Sequence, residues 1–340
     1  MKQAIMTQPG VIEYVNVPIP EPGKGQIRVK MAMIGVCGSD IHVYHGKHPY
    51  TSYPVVQGHE VAAIIDKLGE GVEGFEVGDL VTIQPQVVCG KCYPCTHGMY
   101  NDCDVLKVMG FQTTGMASEY FVTEAAKALK LPKGMSLEHA AMIEPLAVAV
   151  HAARRYAVNG GIKGKKAVVT GGGPIGNLVA QTIKAMGGDV LLSEVSAYRL
   201  AAAEKCGIKT VNPKEKNLRD AIFEAFGPDA ADVIFECIGS KAVIAELIEI
   251  ARKGSVIIVV GVVAELAPVN MGFVQDHELS LIGSAMYRVE DYIEAIRLVG
   301  EGLIELDTLV THYVDFDNYL DAYKLIEEQK DKAMKVMIRF

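Results

Sequence analysis

Residues 167–176 read AVVTGGGPIG, a short apolar run that leads directly into a glycine-rich turn. The run has the β-branched content of a buried strand, and residues 177–186 beyond the turn have the composition of a helix. A Gly-x-Gly-x-x-Gly pattern between a strand and a helix is typical of dinucleotide-binding folds. Gly171 would allow the tight turn, Gly173 the close approach of a pyrophosphate, and Gly176 the packing of helix against strand.

The same turn supplies the anion site of the predicted cofactor. The turn also contains Pro174 and Ile175, and its N–H groups open the helix, which favours a negatively charged pyrophosphate. Glu194 lies at roughly the 20-residue separation where an acid hydrogen-bonds the ribose hydroxyls of the cofactor. Because its charge would repel a 2'-phosphate, we expect NAD rather than NADP; the alternative is a solvated acid at a strand end. Arg199 would either flank the adenosine or lie on an exposed helix face.

Strand-like and helix-like segments continue to alternate after this unit. The apolar runs Asp232–Phe235 and Ser255–Val260 have the character of buried strands. Such alternation predicts an α/β domain of the Rossmann type, a doubly wound parallel sheet with helices on both faces. We place this NAD-binding domain at residues 148–283.

The first part of the chain has a different pattern, in which proline and glycine separate short apolar runs. Three of these runs are predicted strands of an all-β, barrel-like domain: Ile27–Met31, Val61–Ile65 and Asp79–Ile83. The chain ends with the apolar run Ala333–Ile338, which we expect to return as a strand to the first domain. Residues 1–147 and 284–340 are therefore assigned to one catalytic domain.

Four cysteines lie close together in one loop, in a Cys-x2-Cys-x2-Cys-x7-Cys run. They are Cys89, Cys92, Cys95 and Cys103. Four thiolates in a short loop can close tetrahedrally around Zn2+ and leave no position for a substrate, as a structural zinc site requires. The alternative is a redox pair or disulfide bonds, which are typical of secreted chains.

A second set of metal ligands lies in two separate segments upstream. Cys37 and His59 do not complete a coordination shell by themselves. A zinc ion with few protein ligands keeps a position for water or substrate and is available as a Lewis acid. The sequence therefore contains ligands for two different zinc sites.

Composition excludes two classes of partner. The formal net charge is -8 over 340 residues, and no long block of Lys or Arg is present, which argues against a nucleic-acid surface. Residues 1–6 are followed by polar residues and Pro9, so no apolar signal segment is recognised, and no run reaches the length of a membrane span. We expect a cytoplasmic protein that has no membrane partner and keeps its thiols reduced.

The sequence resembles the zinc-dependent medium-chain alcohol and polyol dehydrogenases over essentially its whole length. The resemblance is carried by GVCGSDIH at 35–42, GHE at 58–60, the four-cysteine loop, EPLA at 144–147 and the glycine turn at 171–176. It implies a GroES-like β-barrel catalytic domain joined to the Rossmann domain. It also implies NAD and two zinc ions per chain, one catalytic and one structural. Glu144 and Pro145 stand where alcohol dehydrogenases carry a second catalytic cysteine, as in the sorbitol, threonine and sugar-acid branch.

The resemblance also implies roles for individual residues. Catalytic zinc would be held by Cys37, His59 and a carboxylate from Glu144 or Glu60. We favour Glu144, which would coordinate directly or through a water molecule, while Glu60 supports the ligands. Either acid could instead be a solvated loop residue.

Proton transfer is assigned to two residues that follow Cys37. By resemblance, Ser39 lies next to the substrate hydroxyl, and His42 is the outer member of a relay through the cofactor ribose. A histidine suits this role because its unperturbed pKa near 6.5 allows both protonation states at working pH. The alternative for His42 is a surface residue. Asp40 is expected to orient the loop or a ligand.

The substrate is expected to be a polyol or a sugar acid. Residues 44–53 read YHGKHPYTSY, which is polar, aromatic and cationic, unlike the apolar walls that suit long-chain alcohols. We hypothesise that a secondary alcohol is oxidised to a ketone; a threonine-type or simple alcohol dehydrogenase is the alternative. The arginine that polyol dehydrogenases carry after a glycine is displaced here to Arg288, which could equally be a surface charge. Phe111 would line the cleft or belong to the core.

Two other functions fit the sequence less well than a zinc-dependent dehydrogenase, and an oligomer is expected. A reductase without catalytic zinc would not need Cys37, His59 and Glu144 together, and a non-catalytic NAD sensor would not need Ser39 and His42. Cys206 and Cys237 have no metal-like partner nearby in the sequence and are expected in the core. An uncovered sheet edge near Ser255–Val260 would support a homodimer or homotetramer.

Overall fold

The computed structural model describes residues 1–157 and 160–340, which form two compact units. The first contains residues 1–144 and 310–340, and the second contains residues 145–309. The predicted boundary at 283/284 therefore falls inside the second unit, and the other lies three residues away from the predicted 147/148. Side-chain contacts explain the difference, because Asp291 bonds His151 and Arg154, all within the second unit.

The first unit is built mainly from β-strands. They are β1 (Lys2–Gln8), β2 (Val11–Asn16), β3 (Gln26–Gly35), β4 (Glu60–Leu68), β5 (Leu80–Ile83), β6 (Gln86–Val87), β7 (Lys107–Val108), β8 (Tyr120–Glu124), β9 (Ala128–Lys130), β16 (Val310–Asp315) and β17 (Lys335–Arg339). The main sheet has seven strands in the order β16-β17-β3-β4-β5-β9, with β8 also paired to β3. As predicted, the last strand returns to this unit, where β17 is antiparallel to β3.

Period-two alternation in β3 and β4 builds the core of the first unit. Ile27, Val29 and Met31 are buried on one face of β3, and Val61 and Ala63 of β4 are buried in the same cluster. Alternate side chains of a strand point to one face, so one register fixes the whole apolar set. This core supports the loops at the ends of β3 and β4 that carry Cys37 and His59.

The second unit contains a six-stranded parallel sheet. Its strands are β10 (Lys166–Thr170), β11 (Asp189–Ser193), β12 (Lys209–Val211), β13 (Val233–Glu236), β14 (Val256–Val259) and β15 (Ser280–Gly283). Their order is β12-β11-β10-β13-β14-β15, and every neighbouring pair is parallel. This is the 3-2-1-4-5-6 order of the Rossmann fold, so the predicted doubly wound sheet is confirmed.

Helices connect the strands of both units. Their bounds are α1 (Gly38–Tyr44), α2 (Tyr93–Thr96), α3 (Leu137–Arg155), α4 (Pro174–Ala185), α5 (Ala197–Lys205), α6 (Leu218–Phe226), α7 (Lys241–Ile250), α8 (Met271–Asp276), α9 (Val289–Gly300) and α10 (Tyr319–Gln329). In the described part of the chain, none of the helices combines the length and apolar character needed to cross a bilayer.

Both faces of the parallel sheet are apolar. Val168 and Ile234 pack with α6 and α7 on one face. Val169 and Phe235 are also buried, and alternation directs them to the opposite face. The near-continuous hydrophobic runs noted in the sequence reflect this burial on both sides.

Candidate metal centres and cofactor site

The four clustered cysteines have the geometry of a structural zinc site. Their sulfurs all lie within 4.8 Å of one another, and Cys92 Sγ is 3.8 Å from Cys103 Sγ. A tetrahedron with Zn–S bonds of about 2.3 Å has sulfurs about 3.8 Å apart, whereas a disulfide requires about 2.05 Å. All four cysteines are unbridged, so the disulfide alternative does not fit this cluster.

The surrounding backbone positions and charges this cluster. Strands β6 and β7 pair as a short ribbon that closes the loop containing the cysteines. The backbone N–H of Cys92 donates to Cys89 Sγ at 3.4 Å. Backbone N–H groups of Lys91 and Cys92 lower the pKa of Cys89 to about 6, which favours the thiolate that binds metal.

The second candidate metal site lies where β3 and β4 meet. One ligand atom each from Cys37, His59 and Glu60 lies within 4.8 Å of the others. Cys37 precedes α1 as its N-cap, while Glu60 is the first residue of β4 and pairs with Gly35. Burial opposes a charged His59, but Asp40, Cys37 and Glu144 outweigh it and hold the pKa of this imidazole well above its usual value. The site thus favours positive charge, and its thiol, imidazole and carboxylate suit Zn2+.

A chain of buried polar groups lies beside His59. Its Nδ1 lies 3.6 Å from Asp40 Oδ1, a carboxylate oxygen that also accepts from Gln57 Nε2 at 3.1 Å. Tyr323 donates through its hydroxyl to Gln57 Oε1 at 2.7 Å. The other Asp40 oxygen accepts from the Cys37 backbone N–H at 2.9 Å. Asp40 therefore bonds the Cys37 segment, as expected for a residue that orients the loop, and places its charge beside His59, whose Nδ1 has no hydrogen-bond partner among the described residues.

Lys335 is a site residue that sequence reasoning missed. Its Nζ donates to both oxygens of Glu60, at 2.6 and 2.7 Å, and both side chains are buried. The residue is the first of strand β17 and lies inside the apolar run 333–338, and a lysine inside such a run was the available signal. A buried charge of this kind requires a partner, and Glu60 is that partner.

Replacing Lys335 by Met should lower the free energy of unfolding by about 3–5 kcal/mol, because it leaves the Glu60 carboxylate buried without its cation. Denaturant unfolding of the purified variant measures this loss. Lys332→Met is the matched control, since Lys332 is exposed and its replacement should change stability by less than about 0.5 kcal/mol. Equal stability of the two variants would show that the buried pair contributes nothing.

The other predicted catalytic residues occupy α1 and α3. Ser39 and His42 are three residues apart on α1 and so share one face of the helix; Ser39 is half-buried and His42 is exposed. Glu144 is buried within α3 and interacts electrostatically with His59 and Lys335. Among the described residues, the close ligand group contains Glu60 and does not include Glu144.

Aromatic and imidazole rings pack beside this metal site. Phe111 is buried and stacks on His48, with ring centroids 4.8 Å apart, and it tilts against His59 at 4.9 Å. His48 bonds Thr51 Oγ1 through Nδ1 at 2.7 Å. Phe111 is therefore both a core residue and a neighbour of a candidate ligand, and the polar loop 44–53 contributes a ring to its stack.

The glycine turn has the geometry of a dinucleotide site. Gly171 has φ +91°, and Gly173 is the N-cap of α4, which begins at Pro174, earlier than the predicted residue 177 because proline suits the first helical turn. A Cβ on Gly176 would collide with the carbonyl oxygen of Gly171. Ile175 lies in the first turn of this helix. The cradle therefore leaves the backbone exposed to a phosphate group.

Glu194 lies directly after β11, at the edge where the glycine turn begins. It is buried, and its Oε2 accepts from the Gly172 N–H at 2.7 Å. Its Oε1 accepts from the N–H groups of Val195 and Ser196 at 2.6 and 2.9 Å. Arg199 Nη1 lies 3.8 Å from the same carboxylate, so Arg199 lies beside the glycine turn. These contacts hold the acid next to the glycine turn, and its role in ribose recognition stays a prediction.

Glu236 is a second residue that sequence reasoning missed. It is the last residue of β13, is fully buried, and accepts from the N–H groups of Ile238 and Gly239 at 2.9–3.1 Å. It thereby fixes the loop that follows β13, next to the glycine turn in the sheet. An acid at the end of an apolar strand was the only signal in the sequence.

Comparisons with known proteins agree with this arrangement. Residues 23–133 match the alcohol dehydrogenase GroES-like domain, and residues 174–301 match the zinc-binding dehydrogenase domain. The chain is 36% identical to a 2-dehydro-3-deoxy-L-galactonate 5-dehydrogenase of Pseudoalteromonas atlantica, over 85% of this chain and 84% of that protein. It is also 36% identical to a sorbitol dehydrogenase of Halalkalibacterium halodurans, over 99% of each.

A solved structure also shares the fold of this chain. An alcohol dehydrogenase of Escherichia coli CFT073, crystallised with NADH, superimposes with a TM-score of 0.91 and 31% identity, covering 100% of this chain and 99% of that one. The predictions of zinc and a nicotinamide dinucleotide as cofactors are confirmed at the level of the family, and the protein is an oxidoreductase that acts on CH–OH groups. The chain belongs to the zinc-dependent medium-chain dehydrogenase family.

Proposed function

We propose that this enzyme uses zinc and NAD to oxidise a secondary alcohol of a polyol or sugar acid to a ketone. The observation that carries the proposal is the close group formed by the half-buried thiol of Cys37 and the buried imidazole and carboxylate of His59 and Glu60. It occurs in one chain with a glycine turn and an acid in the arrangement that dinucleotides require. Two relatives act on a sugar acid and on a polyol, which supports this substrate class.

Cys37 and His59 would hold the zinc ion, which would supply Lewis acidity and lower the pKa of the substrate hydroxyl. Ser39 would accept the substrate hydroxyl proton at Oγ while its own hydroxyl proton passes on towards the ribose hydroxyl of the bound cofactor. His42 would be the outer member of this relay and release a proton to solvent from its exposed imidazole. Bound NAD would supply the acceptor for the hydride of the substrate carbon. Asp40 keeps its negative charge beside His59.

The two glutamates have separate roles in this proposal. Both oxygens of Glu60 already accept from Lys335, so in this proposal Glu60 holds negative charge beside the ligands and is the weaker candidate for permanent coordination. Glu144 is buried within electrostatic reach of His59 and coordinates directly or through a water molecule. In this division the charge of Glu60 is compensated by Lys335, while Glu144 is the carboxylate that would bind the metal.

A panel of substrates tests the reaction. Purified enzyme with NAD would be offered sorbitol, galactitol, threonine, gulonate, galactonate and simple primary alcohols, with absorbance at about 340 nm reporting NADH. We expect kcat/KM for a polyol or sugar acid to exceed that for primary alcohols by at least about 100-fold, because unpaired polar groups in the pocket penalise apolar analogues. Activity confined to hydrophobic primary alcohols would reject the polyol assignment.

Replacing Glu194 by Gln should weaken the preference for NAD. Loss of the charge removes the repulsion of a 2'-phosphate while Arg199 stays nearby, so the ratio of kcat/KM for NADP to that for NAD should rise by about 10-fold or more, equivalent to about 1.4 kcal/mol. Steady-state kinetics with both cofactors give the ratio. Glu204→Gln, on the exposed part of α5, is the matched control; an unchanged ratio in Glu194→Gln would remove this residue from cofactor selection.

We also propose that the enzyme acts as a homodimer or homotetramer in the cytoplasm. The sheet edge expected near Ser255–Val260 is wrong, because this run contains β14, which pairs with both β13 and β15. The edge strand on this side of the parallel sheet is β15, and Leu281 within it is exposed. The loop after β14 exposes Val262 and Leu266, which together with the sheet edge offer an apolar surface for a second copy. Light scattering of the purified protein reports the mass of the assembly, and a monomer would contradict this part.

A further inference from the structure

A cluster of charged side chains in the second unit is not used by the proposed reaction. It surrounds a cavity of about 310 Å³ lined by His151, Arg154, Arg155, Arg288, Glu290 and Asp291. The cluster joins the end of α3, the beginning of α9 and the end of β15. We propose that this cavity binds an oxyanion, either a carboxylate or a phosphate group.

A buried carboxylate organises the walls of the cavity. Asp291 is only 2% exposed, and its Oδ2 contacts His151 Nδ1 at 2.8 Å. The same oxygen accepts from the backbone N–H of Arg288 at 2.8 Å, and Oδ1 accepts from Arg154 Nη1 at 2.9 Å. The Asp291 carboxylate is thus satisfied by three hydrogen bonds within the wall, and these bonds hold His151, Arg154 and Arg288 in place without a ligand.

Arg154 and Arg155 each bond the described residues through only one of their N–H groups. Arg155 donates through Nε to the carbonyl oxygen of Gly283 at 3.0 Å, and Arg154 is held by Asp291 through Nη1. Each guanidinium has five N–H groups, and these two bonds use one donor of each; Glu294 also interacts electrostatically with Arg154. Both side chains are also exposed, so the remaining donors are accessible to a ligand.

The chemistry of the lining selects an oxyanion. Guanidinium groups pair bidentately with carboxylate and phosphate, and three arginines outnumber the two acids of the lining. The N-terminus of α9, a helix of 12 residues, adds partial positive charge beside Arg288. Arginines at the end of a helix often only cap its carbonyls. Here the bonds of Arg154 and Arg155 go to α9 and β15 instead.

Isothermal titration of the zinc-loaded enzyme tests the proposal. Inorganic phosphate and, separately, malonate would be titrated with saturating NADH present, so that the glycine turn is already occupied, and with ionic strength held constant by chloride. We expect saturable binding of at least one of them. The double variant Arg155→Gln/Arg288→Gln should raise its Kd at least about 10-fold, equivalent to about 1.4 kcal/mol. The tighter of the two anions identifies the group that the cavity takes.

Arg219→Gln is the matched control, because Arg219 lies on α6, where its guanidinium packs over the Phe223 ring, and it does not line the cavity. It should bind the anion like the parent. If the double variant does not fold, Arg155→Gln alone serves, since this side chain is exposed. Absence of saturable binding in the parent, or the same Kd in parent and Arg155→Gln, would overturn the proposal.

Discussion

The variant His59→Ala is expected to lose at least about 10³-fold in kcat/KM and to retain one zinc ion per chain instead of two. Lewis acidity contributes several kcal/mol to the transition state, and each 1.36 kcal/mol corresponds to a factor of ten. The cysteine cluster keeps its own ion because it shares no ligand with this site. Turnover assays and metal analysis on the same preparation measure both quantities.

Two further variants test whether the effect of His59→Ala comes from loss of the metal ligand. His59→Gln retains much of the side-chain volume and distinguishes loss of the metal ligand from a packing defect, since His59 is buried. His312→Ala removes a histidine of β16 that bonds Thr311, and it should keep both zinc ions and parental activity. NADH binding, followed by fluorescence, should be unchanged in all three. Parental turnover in a His59 variant that holds one zinc would exclude the proposed catalytic site.

Replacing Cys103 by Ser should remove the structural zinc and lower Tm by at least about 10 °C. A change of 1 kcal/mol shifts Tm by about 2–4 °C in a domain of about 150–250 residues, and structural zinc sites contribute far more than that in small domains. The ribbon of β6 and β7 is short, so the loop between them depends on the metal for its order. Metal analysis and thermal unfolding are the measurements.

Cys206→Ser provides the control for this second prediction. Cys206 is half-buried, and in the described residues it belongs to neither of the two metal-ligand groups. Its replacement should leave two zinc ions per chain and a Tm close to that of the parent. If Cys103→Ser retained both zinc ions and the parental Tm, the cysteine cluster would have no structural role.

Local patterns allowed much of this molecule to be predicted. The glycine turn and the cysteine cluster each lie within one short segment, so residue type and spacing alone define their geometry. The parallel sheet was predictable because strand and helix patterns alternate regularly from β10 onward. The predicted start of α4, at residue 177, is three residues later than the observed start at Pro174, although proline is preferred in the first helical turn.

Contacts between distant segments could not be predicted in this way. Lys335 meets Glu60 across 275 residues, and this depends on the pairing of β17 with β3 and of β3 with β4. The polar surroundings of His59 depend similarly on Asp40 and Gln57. The misplaced domain boundary has the same origin, because Asp291 in α9 bonds residues that precede it by more than 130 positions.

The most direct test of the catalytic site is diffraction at the zinc absorption edge from crystals of the active enzyme. We predict two anomalous peaks per chain, one among the sulfurs of the cysteine cluster at about 2.3 Å. The second should lie about 2.3 Å from Cys37 Sγ and about 2.0–2.1 Å from a ring nitrogen of His59. A single peak at the cysteine cluster, in enzyme that oxidises its alcohol at full rate, would contradict the account.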